Sequence, residues 1–193
     1  MKSSRIIFCI ACLSIFGSLV QAQEKKPATD LKQKIKTFKK NRRFSINYDK
    51  FKDETIVSVG PFGLSGTGRY MATGGMYLIY AKFRFTGQEI KELVDTIYLG
   101  IEFTGKDWKF LNDRRIYAII DGERMVFEGQ RGSKVGGAIS TVQEWLVTPV
   151  DAETFEKIAK AKSVEVKVGD YEVKLKDEHL TAFRDLLSLT KSE

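Results

Sequence analysis

The sequence predicts a mainly β (α+β) domain: an antiparallel sheet or β-sandwich with two short helices and a hairpin at its C-terminal end. Three observations predict it. Apolar residues recur with period two between Phe44 and Val150, which puts alternate side chains of a strand on one face. Asp121-Gly122 and Gly169-Asp170 are two-residue turns, and the pairings they dictate keep apolar residues opposite one another. After Pro149 the period changes to 3.6 in two stretches, each opening at an aspartate.

The chain begins with a different pattern. Lys2 and Arg5 precede an apolar run from Ile6 to Val20, and Val20-Gln21-Ala22 ends it with a small-residue site. Together these are the parts of a secretory signal peptide, so residues 1–22 are expected to be removed and the protein exported to the periplasm or cell exterior. The run includes Ser14, Gly17 and Ser18 and is shorter than the roughly 20 apolar residues a spanning helix needs. Cys9 and Cys12, the two cysteines of the chain, fall inside it. The exported part therefore lacks a disulfide, a thiolate nucleophile and a cysteine metal ligand.

The formal net charge of +7 is concentrated in one place. Residues 23–43 carry nine lysines and arginines against Glu24 and Asp30, whereas residues 44–193 are close to neutral. This distribution argues against a basic fold that wraps nucleic acid, and no nucleic-acid partner is expected. The 23–43 segment reads as a basic leader, either disordered or an amphipathic helix. In the helical form Asp30 caps a helix starting at Leu31, with Leu31, Ile35 and Phe38 on one face. Lys32, Lys36, Lys39, Lys40, Arg42 and Arg43 then become candidate contacts to an anionic membrane surface or polyanion through residues 30–43.

Residues 44–193 form one β-rich domain. Strands are expected at 44–48 and 55–59. A longer one at 77–85 has Tyr77, Ile79, Ala81, Phe83 and Phe85 on one face and Lys82 and Arg84 on the other. In 97–103, Ile97, Leu99, Ile101 and Phe103 face one way, with Tyr98, Gly100 and Glu102 opposite. A hairpin over 115–127 sets Ile116 against Phe127 and Ala118 against Met125. A strand at 141–147 leads to a helix capped by Asp151, with Phe155, Ile158 and Ala159 inward. The second hairpin sets Val168, Val166 and Val164 against Tyr171, Val173 and Leu175. Asp177 is expected to cap the last helix, with Leu180, Phe183, Leu186 and Leu187 as its stripe.

Catalytic chemistry has little to stand on. His179, the one histidine, is expected on the polar side of the last helix, exposed, so neither a metal site nor a catalytic residue is nominated, and no cofactor is implied. Asp121 and Glu123 are the pair of carboxylates weighed for a glycosidase, and the hairpin turn already accounts for Asp121. Two glycine-rich segments, 60–75 and 129–137, are expected to be loops carrying ligand contacts: Arg69 and Tyr70 in the first, Arg131 and Lys134 in the second. Trp108, beside a turn, is a further contact. Tyr98, Trp108, Phe110, Tyr117 and Trp145 are weighed as a stacking surface for sugar rings, against the alternative of ordinary core aromatics. The expectation is an exported, non-enzymatic binding or interaction domain for an unknown protein or small ligand. The rivals are an envelope-associated hydrolase of glycans or esters and a membrane-surface module attached through the leader.

Overall fold

The computed structural model describes residues 27–37, 43–64, 75–90, 93–136 and 141–190. The signal sequence, Arg69, Tyr70, Lys39, Lys40 and Arg42 lie outside the described residues.

Among the described residues, helix α1 (Pro27–Thr37) precedes ten strands and two further helices. The first four strands are β1 (Phe44–Asp49), β2 (Glu54–Gly63), β3 (Gly75–Thr86) and β4 (Thr96–Gly105). Then come β5 (Arg115–Ile120), β6 (Glu123–Glu128), β7 (Gln130–Gly136) and β8 (Thr141–Asp151). The chain ends with α2 (Ala152–Lys160), β9 (Val164–Val168), β10 (Tyr171–Lys174) and α3 (Asp177–Leu187). One sheet has the order β1-β2-β3-β4-β8-β7 and the other β10-β9-β5-β6, with every pairing antiparallel. The fold is thus the α+β antiparallel architecture that the period-two pattern implies.

Registers follow from side-chain parity. Tyr77, Ile79, Ala81 and Phe83 of β3 lie beside Phe103, Ile101 and Leu99 of β4 and, through β8, Leu146 and Val150, all buried. The smaller sheet presents Ile116, Ala118, Ile120, Val164, Val166 and Val168 to the interior. The Asp121-Gly122 turn has φ of 47° and 93°, the two left-handed residues a type I′ turn demands, and it yields the expected Ile116–Phe127 and Ala118–Met125 pairs.

The inner face of the large sheet is covered in two parts. The small sheet meets it where Tyr77 stacks on Tyr171 with ring centroids 4.0 Å apart. Helices α2 and α3 pack on each other through Phe155 and Phe183 and lie against β2, β3, β4 and β8. One continuous apolar cluster joins both sheets, the helices and Ile35 of α1. The outer face of the large sheet bears neither the small sheet nor α2 and α3.

Several expectations are corrected. Helix α1 starts at Pro27, so Asp30 sits inside its first turn rather than capping it; proline is pre-set for the first helical position. The first glycine-rich segment is strand as far as Gly63 and again from Gly75. Its Gly60-Pro61 step is absorbed by a bulge between Val59 and Phe62. In the second, residues 130–136 are not a loop but edge strand β7, paired to β8 throughout. Gly129 alone carries the chain from one sheet to the other, its N–H bonded to the Arg114 carbonyl at 2.8 Å. A Cβ there would meet that same oxygen at 2.8 Å, which is why a glycine stands at the crossing. Helix α3 has Lys176 at its N-cap, with Asp177 as its first residue. His179 is 1% exposed rather than solvated, because it occupies the third helical position and turns back to accept the Lys176 N–H on Nδ1 at 3.2 Å. Its ring packs on Phe62, 5.3 Å away.

Candidate functional site

The sequence-nominated residues separate in space. Arg131 and Lys134 share β7, but three positions apart they point to opposite faces, Arg131 inward and Lys134 outward. Arg131 meets Trp108: its guanidinium lies 5.0 Å from the indole ring centre, and its Nε donates to Glu144 Oε1 at 2.9 Å. Glu144 stands on the inner face of β8, fully buried. Its other oxygen accepts the backbone N–H groups of Lys109 and Phe110, at 2.5 and 3.3 Å. All four groups are used in fastening the 106–112 connection to the sheet, and Trp108 remains 40% exposed above them. Lys32 and Lys36 of α1 are exposed. Arg43 is engaged with the fold, donating to the Pro61 carbonyl at 2.9 Å and lying over the Phe62 ring at 4.8 Å.

The aromatics considered for stacking are also divided. Phe110 is core, Tyr117 belongs to the small sheet, and Tyr98 and Trp145 lie on the outer face of the large sheet. A third ring joins them there, Tyr80. Two glycines explain its posture and that of Trp145. Tyr80 leans across to β4, where a Cβ on Gly100 would come within 2.1 Å of its ring. Trp145 leans across to β7, where a Cβ on Gly132 would meet the indole at 2.2 Å. Each ring therefore lies against glycine backbone, and both side chains are half-buried. Burial pushes the Tyr80 hydroxyl up to about 12, and the Glu102 carboxylate adds to the effect, so this phenol stays neutral.

Around the rings the outer face is polar and mixed in charge. Arg84 donates to the Tyr98 hydroxyl at 2.9 Å and lies beside Glu54 at 3.5 Å; Gln143 donates to Glu102. Lys82 lies over the Tyr80 ring at 5.9 Å. Ile56, Lys82, Arg84, Tyr98, Gln130 and Val147, drawn from five strands, line one depression of about 280 Å³. Arg84 and Tyr98 also border a second, polar depression of about 480 Å³ at the sheet end, where Asp53, Glu89 and Asp95 gather. The two have Tyr98 and Arg84 in common in their walls. A separate groove of about 530 Å³ lies on the outside of the small sheet, around Tyr117, Ile119 and Val126, amid alternating charges such as Arg124, Glu165 and Lys167.

Tyr80, Lys82, Arg84, Gln130 and Gln143 were not nominated from sequence as contacts. Their signal lies in parity. The alternation that buries Tyr77, Ile79 and Ala81 sends Tyr80, Lys82 and Arg84 outward, and sets Gly100 where a ring can lie.

Fold and site together define a two-sheet α+β domain with an open aromatic sheet face. No protein family, curated protein or solved structure matches the chain. Among the described residues no group of His, Cys, Asp and Glu is arranged to hold a metal ion.

Proposed function

We propose that this is an exported, non-enzymatic binding domain that takes its ligand on the outer face of the six-stranded sheet. The observation that carries this is the pair of rings, Tyr80 and Trp145, laid on Gly100 and Gly132 beside a depression of mixed polarity spanning five strands. Rigid aromatic surface with a few placed polar groups on regular strands is how a fold builds recognition at low entropic cost. The export rests on the signal pattern of residues 1–22. The test is amide chemical-shift mapping of the exported chain against separated polysaccharide, peptide and lipid fractions of an envelope or extracellular matrix. Shifts concentrated on β3, β4, β8 and β7 support the reading. Shifts confined to the outside of the small sheet overturn it.

One observation favours a second reading, a hydrolase of envelope glycans. Asp53, Glu89 and Asp95 line one depression that shares Arg84 and Tyr98 with the outer face, where paired carboxylates would work. Asp53→Asn, Glu89→Gln and Asp95→Asn variants that each abolish a measured hydrolysis while keeping binding would favour it over a pure binding role. The membrane-module reading is weaker, because Ile35 is buried in the core and is not free to enter a bilayer. Lys32 and Lys36 offer only salt-screened attraction.

A further inference from the structure

Resting on that placement of the ligand, we infer that the open face binds a linear, uncharged glycan laid across the strands. Four features of the face point to this chemistry and away from the alternatives.

The first is the repetition of flat surfaces. Gly100 is on β4 and Gly132 on β7, with β8 between them. The rings resting on them are therefore separated across the sheet by two strand spacings, about 10 Å. A chain of sugar rings presents a flat C–H face again and again, whereas a single planar molecule covers one such platform only. The second is the polar fringe. A sugar hydroxyl both donates and accepts, and the face offers groups of both kinds: the Gln130 and Gln143 amides, the Tyr98 hydroxyl and the Glu102 carboxylate.

The third is charge. Lys82, Arg84 and the outward Lys134 are offset by Glu54, Glu102 and Asp49 on the same face, and Arg84 is already engaged by Glu54 and Tyr98. Such a face has no net field to draw a polyanion. The fourth is the backbone. Strands β3, β4 and β8 have neighbours on both edges, so an extended peptide lying on this face finds no main-chain partners. The depression is also open and includes Lys82, Arg84 and Gln130 in its lining, unlike an enclosed apolar pocket for an acyl chain.

The test uses the chain's two tryptophans. In a Trp108→Phe background Trp145 is the sole tryptophan reporter, and its emission is followed during titration with hexasaccharides of β-1,4-glucose, β-1,3-glucose, α-1,4-glucose and β-1,4-N-acetylglucosamine. Binding of at least one of these is expected. For the unlabelled variants, calorimetry should show Trp145→Ala and Tyr80→Ala weakening that binding by at least about tenfold. Trp145→Phe, which keeps a flat ring, should stay within about threefold. Tyr117→Ala, on the other sheet, should change nothing, and circular dichroism checks that each variant is folded. Gly132→Ala, which keeps the indole but tips it off the backbone, should fall with Trp145→Ala.

Two results would overturn the glycan, and they differ in what else they remove. If no hexasaccharide binds at millimolar concentration while a peptide or lipid fraction still shifts the β3, β4 and β8 amides, the ligand class is wrong and the face stands. If a hexasaccharide binds and folded Trp145→Ala and Tyr80→Ala variants bind it as wild type does, the face is wrong as well.

Discussion

Glu144 is fully withdrawn from water and would be intolerable there alone; a buried carboxylate without a partner costs several kcal/mol. Arg131 and the two backbone N–H groups of Lys109 and Phe110 are what make it tenable. The consequence is asymmetric. Arg131→Met leaves the carboxylate stranded and should lower unfolding stability by about 3–5 kcal/mol in chemical denaturation. Lys134→Ala, three residues along the same strand but facing outward, should move it by less than about 0.5 kcal/mol. A loss below about 1 kcal/mol for Arg131→Met would mean that the 106–112 connection is held by something else. From sequence the two cations look alike, since both sit in a glycine-rich run. What separates them is strand parity, visible only once residues 130–136 are known to pair with β8. His179 shows the same limit. Its position among Asp177, Glu178 and a lysine suggests solvent, yet the capping interaction with Lys176 turns the ring inward against Phe62.

At the level of elements, local chemistry was readable wherever one residue type has one geometric use. Asp121-Gly122 gave the hairpin register, and Gly169-Asp170 gave the pairing of Val168 with Tyr171. Asp151 is the clearest case among the helices. It is extended at φ −66° and ψ 157°, and its carboxylate accepts the Thr154 N–H at 2.8 Å and the Thr154 hydroxyl at 2.8 Å. Those bonds, the backbone one foremost, hold its pKa below the ordinary aspartate value. A depressed carboxyl contributes stability above its unfolded value and loses it as pH falls through the folded one. Asp151→Ala should therefore cost about 1 kcal/mol near neutrality, and the gap to wild type should close as pH drops below about 4. Thermal melts of both proteins across that range are the measurement; a gap independent of pH would rule out the charged cap. Elements built from glycine were misread because glycine marks several things. At Gly60 it has φ of 105° beside a bulge, at Gly122 a turn, and at Gly100 and Gly132 it is space for a neighbouring ring.

For the whole molecule, period two predicts that strands have a wet and a dry face, but it does not say what covers the dry one. Coverage here is shared between a second sheet and a helix pair, which depends on pairings between residues far apart, such as Tyr77 with Tyr171. The candidate site is hard to see in sequence for the same reason: Tyr80, Gly100, Trp145 and Gly132 come from four strands and meet only through sheet order. That arrangement places tyrosines on both sides of one sheet in surroundings that resist ionisation. Burial raises Tyr77 and Tyr171 on the inner side, and on the outer side it takes Tyr80 to about 12. A phenol whose folded value lies above its unfolded value of about 10 contributes nothing to pH dependence below that point. It then withdraws stability as pH rises from about 10 towards 12, because the unfolded chain releases its proton first. The protein should accordingly lose stability steeply across that interval. Lysine deprotonation contributes in the same range, so the informative comparison is with Tyr80→Phe, which keeps the ring on Gly100 and removes only the hydroxyl. Its denaturation midpoint should fall less between pH 10 and 12 than that of wild type, with the two curves parallel below pH 9. Parallel curves throughout would show that the outer-face phenol ionises as freely as one in water, and that the Tyr80 ring is not seated against Gly100.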